Sequence, residues 1–233
     1  AAAAAAGGAA TVVRSLDDAL AAVGRDDNPP AAWRDGGSAD DDVWYIYTSG
    51  TTGLPKAAKV THRNTLSRLE LMGYMLELGA ADRLYCTLPL YHSSGSIVSL
   101  AAWGKGGAVA LRRAFSAREF WDDCRRFRAT AFVYIGEICR YLLLQPASPR
   151  DAQHELRVCV GNGLRPDVWP EFQRRFRLPK IVEFYASTEG NSLINLANEV
   201  GAVGYVPPLF RWAIRTNVLV RYDVDRDEHV RDA

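Results

Sequence analysis

The stretch from Tyr47 to Lys56, which reads YTSGTTGLPK, constrains the fold and chemistry of this chain more than any other. It follows an apolar run, Val43 to Tyr47, whose aromatic and β-branched side chains predict a buried strand. Glycines let backbone N–H groups approach an anion closely, hydroxyls donate hydrogen bonds, and a lysine supplies a positive charge. The stretch therefore predicts a phosphate-binding loop. Its binding residues would be Thr48, Ser49, Gly50, Thr51, Thr52, Gly53 and Lys56.

This loop does not have the Walker A sequence of P-loop enzymes. A GxxxxGK[ST] pattern begun at Gly50 meets Pro55 where its second glycine should stand, and Ala57 where Ser or Thr should stand. We therefore do not expect a P-loop nucleotide triphosphatase. The alternative interpretation of such a composition is a solvated turn rich in Ser, Thr and Gly.

Composition limits the classes of protein that the chain can belong to. Its 233 residues are 48% hydrophobic, enough for a sizeable core in one large domain or two small ones. A net charge of +1 favours neither nucleic acid nor an anionic membrane surface as a partner. The longest apolar candidate, residues 96–111, is broken by Lys105 and three glycines, so we expect no membrane-spanning helix. The cysteines lack zinc-site or disulfide spacing and are predicted to be reduced thiols: Cys86, Cys124, Cys139 and Cys159.

The chain divides into two parts of different composition. Residues 1–41 begin AAAAAAGGAA and are rich in Pro, Gly and Asp, which predicts a low-complexity segment and linker. From residue 42 to residue 233, short apolar runs alternate with longer amphipathic ones, which predicts an α/β domain with a mainly parallel sheet flanked by helices. The chain has no initial methionine and ends soon after a predicted strand, so we expect a fragment of a longer protein.

This alternation predicts individual elements. Strands are expected at 84–87, 108–111, 130–134, 156–160 and 180–184, and helices at 62–78, from 96, and at 117–127, 137–144 and 166–176. Thr61 is expected to cap the first helix. The apolar face of that helix would carry Leu66, Leu69, Met72, Met75 and Leu76. Ser116 is expected to cap the 117–127 helix, with Glu119 completing a capping box.

A second motif, FYASTEG at residues 184–190, follows the last of these strands. It places a hydroxyl and a carboxylate at the carboxyl end of a strand, where open α/β sheets bind their ligands. Taken alone, a solvated turn or a helix cap is the alternative. Together with YTSGTTGLPK, it resembles the YGxTE motif and phosphate loop of the adenylate-forming enzymes. Ala186 stands where that motif usually has glycine.

Further strings narrow the resemblance to one branch of that superfamily. LPLYHSSG (88–95), FSAREFWDDC (115–124), YIGEICRYLL (134–143), GNGLRPDVWPEFQRRF (161–176) and VEFYASTEGN (182–191) are similar to the fatty acid transport proteins, also called very long-chain acyl-CoA synthetases. The resemblance runs from about residue 43 to residue 231. It implies that residues 42–233 are a partial AMP-binding (adenylation) domain, the central part of the large N-terminal domain of an adenylate-forming enzyme.

The resemblance also implies roles for individual residues. The loop residues from Thr48 to Lys56 would wrap the β- and γ-phosphates of ATP, and Gly161, Asn162 and Gly163 would lie against adenine. Tyr185 would stack on the adenine ring, with Ala186 and Ser187 beside it. Thr188 would contact the α-phosphate and Glu189 would bind Mg²⁺. His92 would lie beside the acyl carboxylate, unless it is a turn histidine bonded to local backbone. The implied catalytic residues are Lys56, His92, Thr188 and Glu189.

The implied reaction is the ATP-dependent activation of a long or very long-chain fatty acid to an acyl-adenylate and then to acyl-CoA, coupled to fatty acid uptake. ATP, Mg²⁺ and CoA would take part, and nucleic acid would not. The family also implies a membrane location, at the endoplasmic reticulum, plasma membrane or peroxisome, with the catalytic domain facing the cytosol. Tyr134, Ile135, Gly136 and Ile138 are candidate linings of an acyl tunnel, with a plain core role as the alternative.

Several parts of the family pattern are missing from this sequence. It contains no TGD string with a ribose-binding aspartate, and we expect the mobile C-terminal domain and the membrane-anchoring segment to be absent. Two other functions therefore stay open. One is a fatty acid transporter that acts independently of ligase activity, and the other is an inactive nucleotide-binding remnant.

Overall fold

The computed structural model describes residues 36–48, 54–187, 192–195, 198–202 and 222–230. The chain divides into a unit of residues 1–38 and a unit of residues 39–233. All described helices and strands belong to the second unit, and the predicted boundary between residues 41 and 42 stays a prediction. The strands are β1 (Asp42–Thr48), β2 (Lys56–Thr61), β3 (Arg83–Cys86), β4 (Ala108–Leu111), β5 (Ala131–Ile135), β6 (Val158–Asn162), β7 (Lys180–Ala186), β8 (Ser192–Asn195), β9 (Tyr222–Asp223) and β10 (Glu228–His229). The helices are α1 (His62–Met75), α2 (Ser93–Gly104), α3 (Phe120–Arg126), α4 (Gly136–Leu143) and α5 (Trp169–Phe176).

The sheet confirms the predicted α/β class. Six strands pair in the order β4-β3-β5-β6-β7-β8, and the first five run parallel, while β8 is antiparallel to β7. Parallel neighbours need crossover connections, and the helices between the strands supply them. The carboxyl ends of the five parallel strands therefore meet at one edge of the sheet, which we call the carboxyl edge.

Side chains alternate between the two faces of this sheet, and each face has its own core. On one face, Tyr85, Phe132 and Ile181 pack with α3, α4 and α5 through residues such as Phe120 and Phe172. The opposite face packs against α1 and α2, and its sheet residues include Leu84, Val133, Val160 and Val182. Burial on both faces explains why the predicted strands read as continuous apolar runs. The four cysteines are free thiols, and all four are buried.

The strand before the phosphate loop exists, but the prediction that it is buried was wrong. β1 pairs antiparallel with β2, which was not predicted, in a two-stranded sheet of its own. Only Ile46 of the apolar run is fully buried, whereas Tyr45 and Tyr47 are 58% and 64% exposed. A two-stranded hairpin has one covered face, so alternate residues face solvent.

Helix starts differ from prediction where a local cap decides them. Thr61 caps α1 as predicted, accepting a hydrogen bond from the Asn64 backbone N–H at 3.2 Å, but Leu66 is exposed rather than on the buried face. Helix α2 begins at Ser93, three residues before its predicted start, because His92 caps it. Ser116 accepts a bond from the Glu119 N–H at 3.4 Å, but α3 begins only at Phe120, so the bond closes a preceding turn and the predicted capping box was wrong.

Two further boundaries were also misplaced. α5 begins at Trp169 after a turn at 166–168, rather than at residue 166. β6 runs from Val158 through Asn162, two residues beyond the predicted end, because it stays paired with β5 as far as Ile135. No helix among the described residues combines the length and hydrophobicity that crossing a bilayer requires.

A partly buried ion pair ties the amino-terminal edge of the sheet to α1. The Asp82 carboxylate accepts hydrogen bonds from Arg157 Nε at 2.9 Å, from Arg157 Nη2 at 2.8 Å and from Thr130 Oγ1 at 2.6 Å. Arg157 also donates to the carbonyls of Leu76 and Glu77, at 2.8 Å each. Burial alone would raise the pKa of Asp82, but the bonds from Arg157 and Thr130 outweigh it and lower that pKa. The network joins the end of α1 to the starts of β3, β5 and β6.

We expect Asp82→Asn to lower the free energy of unfolding by about 2–3 kcal/mol, because it leaves the partly buried Arg157 without its counter-charge. Urea denaturation measures the change. The matched control is Glu171→Gln, which breaks an exposed ion pair with Arg174 on α5. This control should cost no more than about 0.5 kcal/mol. Equal losses in the two variants would contradict a special role for the Asp82 network.

A second prediction concerns His154, which packs against Trp121 with ring centroids 5.3 Å apart. Its Nδ1 accepts from the Leu156 N–H at 3.2 Å and its Nε2 lies 2.8 Å from the Phe176 carbonyl oxygen, an arrangement that suits the neutral ring. Burial lowers its pKa below 6.5. The unfolded chain therefore binds this proton more readily, and the stability that the neutral ring contributes is present above pH 6.5 and lost as pH falls below it.

We expect the free energy of unfolding of the parent to fall more steeply between pH 6.5 and pH 5 than that of His154→Gln. The difference in slope should stay below about 1.4 kcal/mol per pH unit, the limit for one proton. Chemical denaturation across this range measures it. Parallel curves for the parent and His154→Gln would show that His154 does not titrate as described.

Candidate functional site

The β1–β2 hairpin brings the two ends of the YTSGTTGLPK stretch together. Thr48 and Lys56 face each other in the register, and Thr48 Oγ1 donates to the Lys56 carbonyl at 3.3 Å. Lys56 is exposed and forms no ion pair with any residue that the structure describes. A lysine ammonium group at this position can bind an anion. The loop residues between these two lie outside the described residues: Ser49, Gly50, Thr51, Thr52 and Gly53.

His92 has the local role that the sequence left open as an alternative. Its Nδ1 accepts a hydrogen bond from the Ser94 backbone N–H at 3.2 Å, and its carbonyl accepts from Ser96 Oγ at 3.0 Å. The ring thus satisfies one of the free N–H groups at the start of α2. The residue is nevertheless exposed at the start of α2. A contact with an acyl carboxylate stays a prediction.

The GNG segment lies at the carboxyl edge, at the end of β6. Asn162 is exposed and pairs with Ile135 of β5. Gly163 has a φ of +79°, which favours glycine. A Cβ on Gly136 would lie 1.7 Å from the Gly163 carbonyl oxygen, and a Cβ on Gly161 would lie 2.3 Å from the Tyr134 carbonyl oxygen. These glycines therefore allow the ends of β5 and β6 to touch through backbone alone.

The second motif continues β7 to the same edge. Tyr185 is 61% exposed, and Ala186 and Ser187 are exposed beside it. Gly161 is paired with Glu183, so Asn162 and Tyr185 extend just beyond the last pair of the β6–β7 ladder. An exposed aromatic ring and an amide at this edge can bind a planar heterocycle. Thr188 and Glu189 lie outside the described residues.

The sequence interpretation missed Glu183, which lies in β7 behind these exposed groups. Its side chain is 1% exposed, and its carboxylate accepts from Tyr134 Oη at 2.6 Å and from the Leu164 N–H at 3.0 Å. Burial raises the pKa of this carboxyl. The available signal was a lone acidic residue inside an apolar strand, which is costly to bury unless its oxygens accept hydrogen bonds.

The candidate acyl-tunnel residues separate into two groups. Tyr134 and Ile138 are buried in the core, 0% and 4% exposed, as the alternative interpretation held. Ile135 is 42% exposed at the carboxyl edge, and Gly136 is half-buried against Gly163. Tyr134 therefore contributes to the core and donates a hydrogen bond to Glu183. No group of three or more metal-ligating side chains occurs in the part of the chain that the structure describes, and Glu189 is not within it.

Comparison with known proteins identifies the family of this chain. A family model described as AMP-binding enzyme matches residues 3–218. The medium/long-chain-fatty-acid–CoA ligase FadD6 of Mycobacterium tuberculosis is 49% identical over 199 residues, which are 84% of this chain and 32% of that protein. Long-chain fatty acid transport protein 2 of Rattus norvegicus is 46% identical over 206 residues, 88% of this chain and 33% of that protein. The chain thus spans about a third of the length of these relatives.

Solved structures show the same architecture. The crystal structure of ATP-bound MatB from Rhodopseudomonas palustris aligns with a TM-score of 0.64 and 27% identity, covering 74% of this chain and 35% of that one. The fold and the resemblance that the motifs indicated are therefore confirmed. Since the family model matches most of its residues, the chain belongs to the AMP-binding enzyme family.

Proposed function

We propose that this chain carries the nucleotide-binding part of an ATP-dependent fatty acid–CoA ligase. The observation that carries the proposal is the carboxyl edge, where exposed Asn162 and Tyr185 end adjacent strands of a parallel sheet. Ligands of open α/β sheets bind at this position. Relatives named as a medium/long-chain-fatty-acid–CoA ligase and as a long-chain fatty acid transport protein support a long-chain fatty acid as the substrate, and the proposal extends to very long chains.

The reaction we propose has two steps. A carboxylate oxygen of the fatty acid attacks the α-phosphorus of ATP, forming the acyl–phosphate bond, and the bond to the bridging oxygen breaks with its electron pair leaving on pyrophosphate. The CoA thiol then attacks the acyl carbonyl and loses its proton to solvent; the thioester bond forms as the bond between the acyl group and the phosphate oxygen breaks, and AMP leaves with that electron pair. Both steps need positioned reactants and compensation for charge on phosphate oxygens, and neither needs a covalent intermediate on the protein.

The residues divide this work by position. Lys56 and the Thr48 to Gly53 segment would neutralise the departing pyrophosphate. The adenine would lie between the Gly161 to Gly163 segment and Tyr185, with Thr188 at the α-phosphate. His92 would approach the acyl carboxylate. Mg²⁺ would bind Glu189 and neutralise phosphate charge, because a hard cation on phosphate takes one or two carboxylates from protein.

Membrane location and uptake belong to the same proposal. Relatives named as long-chain fatty acid transport proteins support association with a membrane and a link between activation and uptake. We propose the endoplasmic reticulum, plasma membrane or peroxisome, with this domain facing the cytosol. A transporter that acts without ligase activity is the second candidate, favoured by the same relatives. Uptake that persists in cells expressing full-length protein with Lys56→Ala would favour that candidate.

The first test is the fatty-acid-dependent exchange of labelled pyrophosphate into ATP. We expect Lys56→Ala to lower the exchange rate about 100-fold, since one donor to developing charge contributes roughly that factor. Lys59→Ala is the matched control, because Lys59 lies on the same strand and pairs with Asp42 instead. The control should stay within twofold of the parent. Exchange lost equally in both variants would contradict a specific role for Lys56, and absence of exchange in the parent would favour the inactive remnant.

The second test measures ATP affinity by calorimetry. We expect Tyr185→Ala to weaken ATP binding about tenfold, because stacking of an aromatic ring on a base contributes roughly 1–3 kcal/mol. Tyr45→Ala is the control, since Tyr45 is 58% exposed and Tyr185 is 61% exposed. Its affinity for ATP should match the parent. An unchanged affinity in Tyr185→Ala would remove the adenine contact from the proposal.

A further inference from the structure

Glu183 is an unusual choice for its position in β7. Its neighbours Val182 and Ile181 are fully buried, and the carboxylate is 1% exposed within the same sheet. Burying a carboxylate is costly unless its oxygens accept hydrogen bonds, and an apolar side chain would fill the position without that cost. Its carboxylate accepts bonds from Tyr134 Oη at 2.6 Å and from the Leu164 N–H at 3.0 Å. The partners of these bonds therefore indicate which part of the structure the carboxylate holds in place.

The titratable side chains that face Glu183 are all weak acids, a tyrosine and two cysteines. Tyr134 approaches from β5, Cys159 from β6 and Cys139 from α4. Burial raises the pKa of each of these three groups, so they are neutral beside the carboxylate. Among the described residues, no lysine, arginine or histidine forms an ion pair with Glu183. The position of the carboxylate is thus set by hydrogen-bond donors, Tyr134 Oη and the backbone N–H groups of Gly163 and Leu164, and not by a counter-charge.

Two of those donors belong to the segment that faces the candidate nucleotide site. Leu164 directly follows Gly163, and Gly161 is the register partner of Glu183 itself. The segment is therefore held on one side by backbone contact with Gly136 and on the other by the Glu183 carboxylate. Tyr185 lies two residues beyond Glu183, so it points to the same face of β7.

We propose that Glu183 is a positioning residue for nucleotide binding, which fixes the backbone from Gly161 to Leu164 at a set distance from Tyr185. The inference rests on the proposed function, since it concerns the same site. Glu183 touches no reacting atom. It holds the backbone at the end of β6 in place relative to the ring of Tyr185, which lies on the same face of β7 as Glu183 and is exposed.

The test compares Glu183→Gln and Tyr134→Phe with Tyr85→Phe in the 233-residue chain. Tyr85 offers a matched control, because it is buried on the same face of the sheet and its hydroxyl donates to Asp123 at 2.7 Å. Each tyrosine variant thus removes one buried bond to a carboxylate, but only Tyr134 lies in the network around Leu164. Hydrogen exchange at the Leu164 amide and calorimetric affinity for ATP are measured, with thermal unfolding confirming that each variant folds.

We expect Glu183→Gln and Tyr134→Phe to speed exchange at Leu164 at least tenfold and to weaken ATP binding about tenfold. Glu183→Gln replaces the charged acceptor with a weaker neutral one, and Tyr134→Phe removes a bond that holds the carboxylate in place. Tyr85→Phe should leave both measurements within twofold of the parent. Unchanged ATP affinity in Glu183→Gln, beside a parent that binds ATP, would overturn the positioning role alone. A parent that binds no ATP would overturn the proposed function and this inference with it.

Ligand affinity measured across a pH series adds a further test, because a purely structural role of Glu183 would not make that affinity depend on pH. Adenosine is the probe, because it carries no phosphate that titrates. As pH falls through the raised pKa of Glu183, its carboxyl gains a proton and one oxygen loses much of its strength as an acceptor. The adenosine affinity of the parent should therefore fall toward acid, whereas that of Glu183→Gln should stay flat. Parallel profiles in the two proteins would overturn the inference.

Discussion

The parallel pairing of β3, β5, β6 and β7 is the constraint on which the rest of the structure depends. Parallel strands cannot be joined by tight turns, so each must return through a crossover, and the described crossovers contain α2, α3, α4 and α5. Helices then cover both faces, and the strands between them can be apolar throughout. The same pairing sends every carboxyl end to one edge. The candidate site follows from topology before any particular side chain is considered.

The two edges of this sheet are built from different chemistry. At the amino-terminal edge, Asp82 and Arg157 form a charged network that fastens α1 to three strands. Near the carboxyl edge, glycines bring backbones into contact, and Glu183 accepts bonds from neutral donors only. Charge is therefore compensated within the protein at one edge. At the other, Asn162 and Tyr185 are exposed and available to a ligand.

Much of the sheet could be predicted from the sequence, because strands covered on both faces read as continuous apolar runs. β4 matches its predicted range, and β5 and β7 begin within one residue of theirs. β2 escaped prediction because KAAKVT has two lysines and two alanines and forms through backbone pairing to β1. The network of Glu183 could not be predicted, since its partner Tyr134 is 49 residues away in the chain. The loop residues 49–53, Thr188 and Glu189 lie outside the described residues, so their roles remain predictions.

The contact between Gly136 and Gly163 has a mechanical consequence. Two backbones that meet without a side chain between them have no flexible spacer to absorb a displacement, and close-packed interiors transmit strain. A shift at the end of β6 must therefore pass directly into the first turn of α4, which begins at Gly136 next to exposed Ile135. The end of β6 and the start of α4 should therefore move together as one rigid segment. A ligand that displaces the end of β6 would therefore also displace Ile135, because no flexible residue lies between the two backbones.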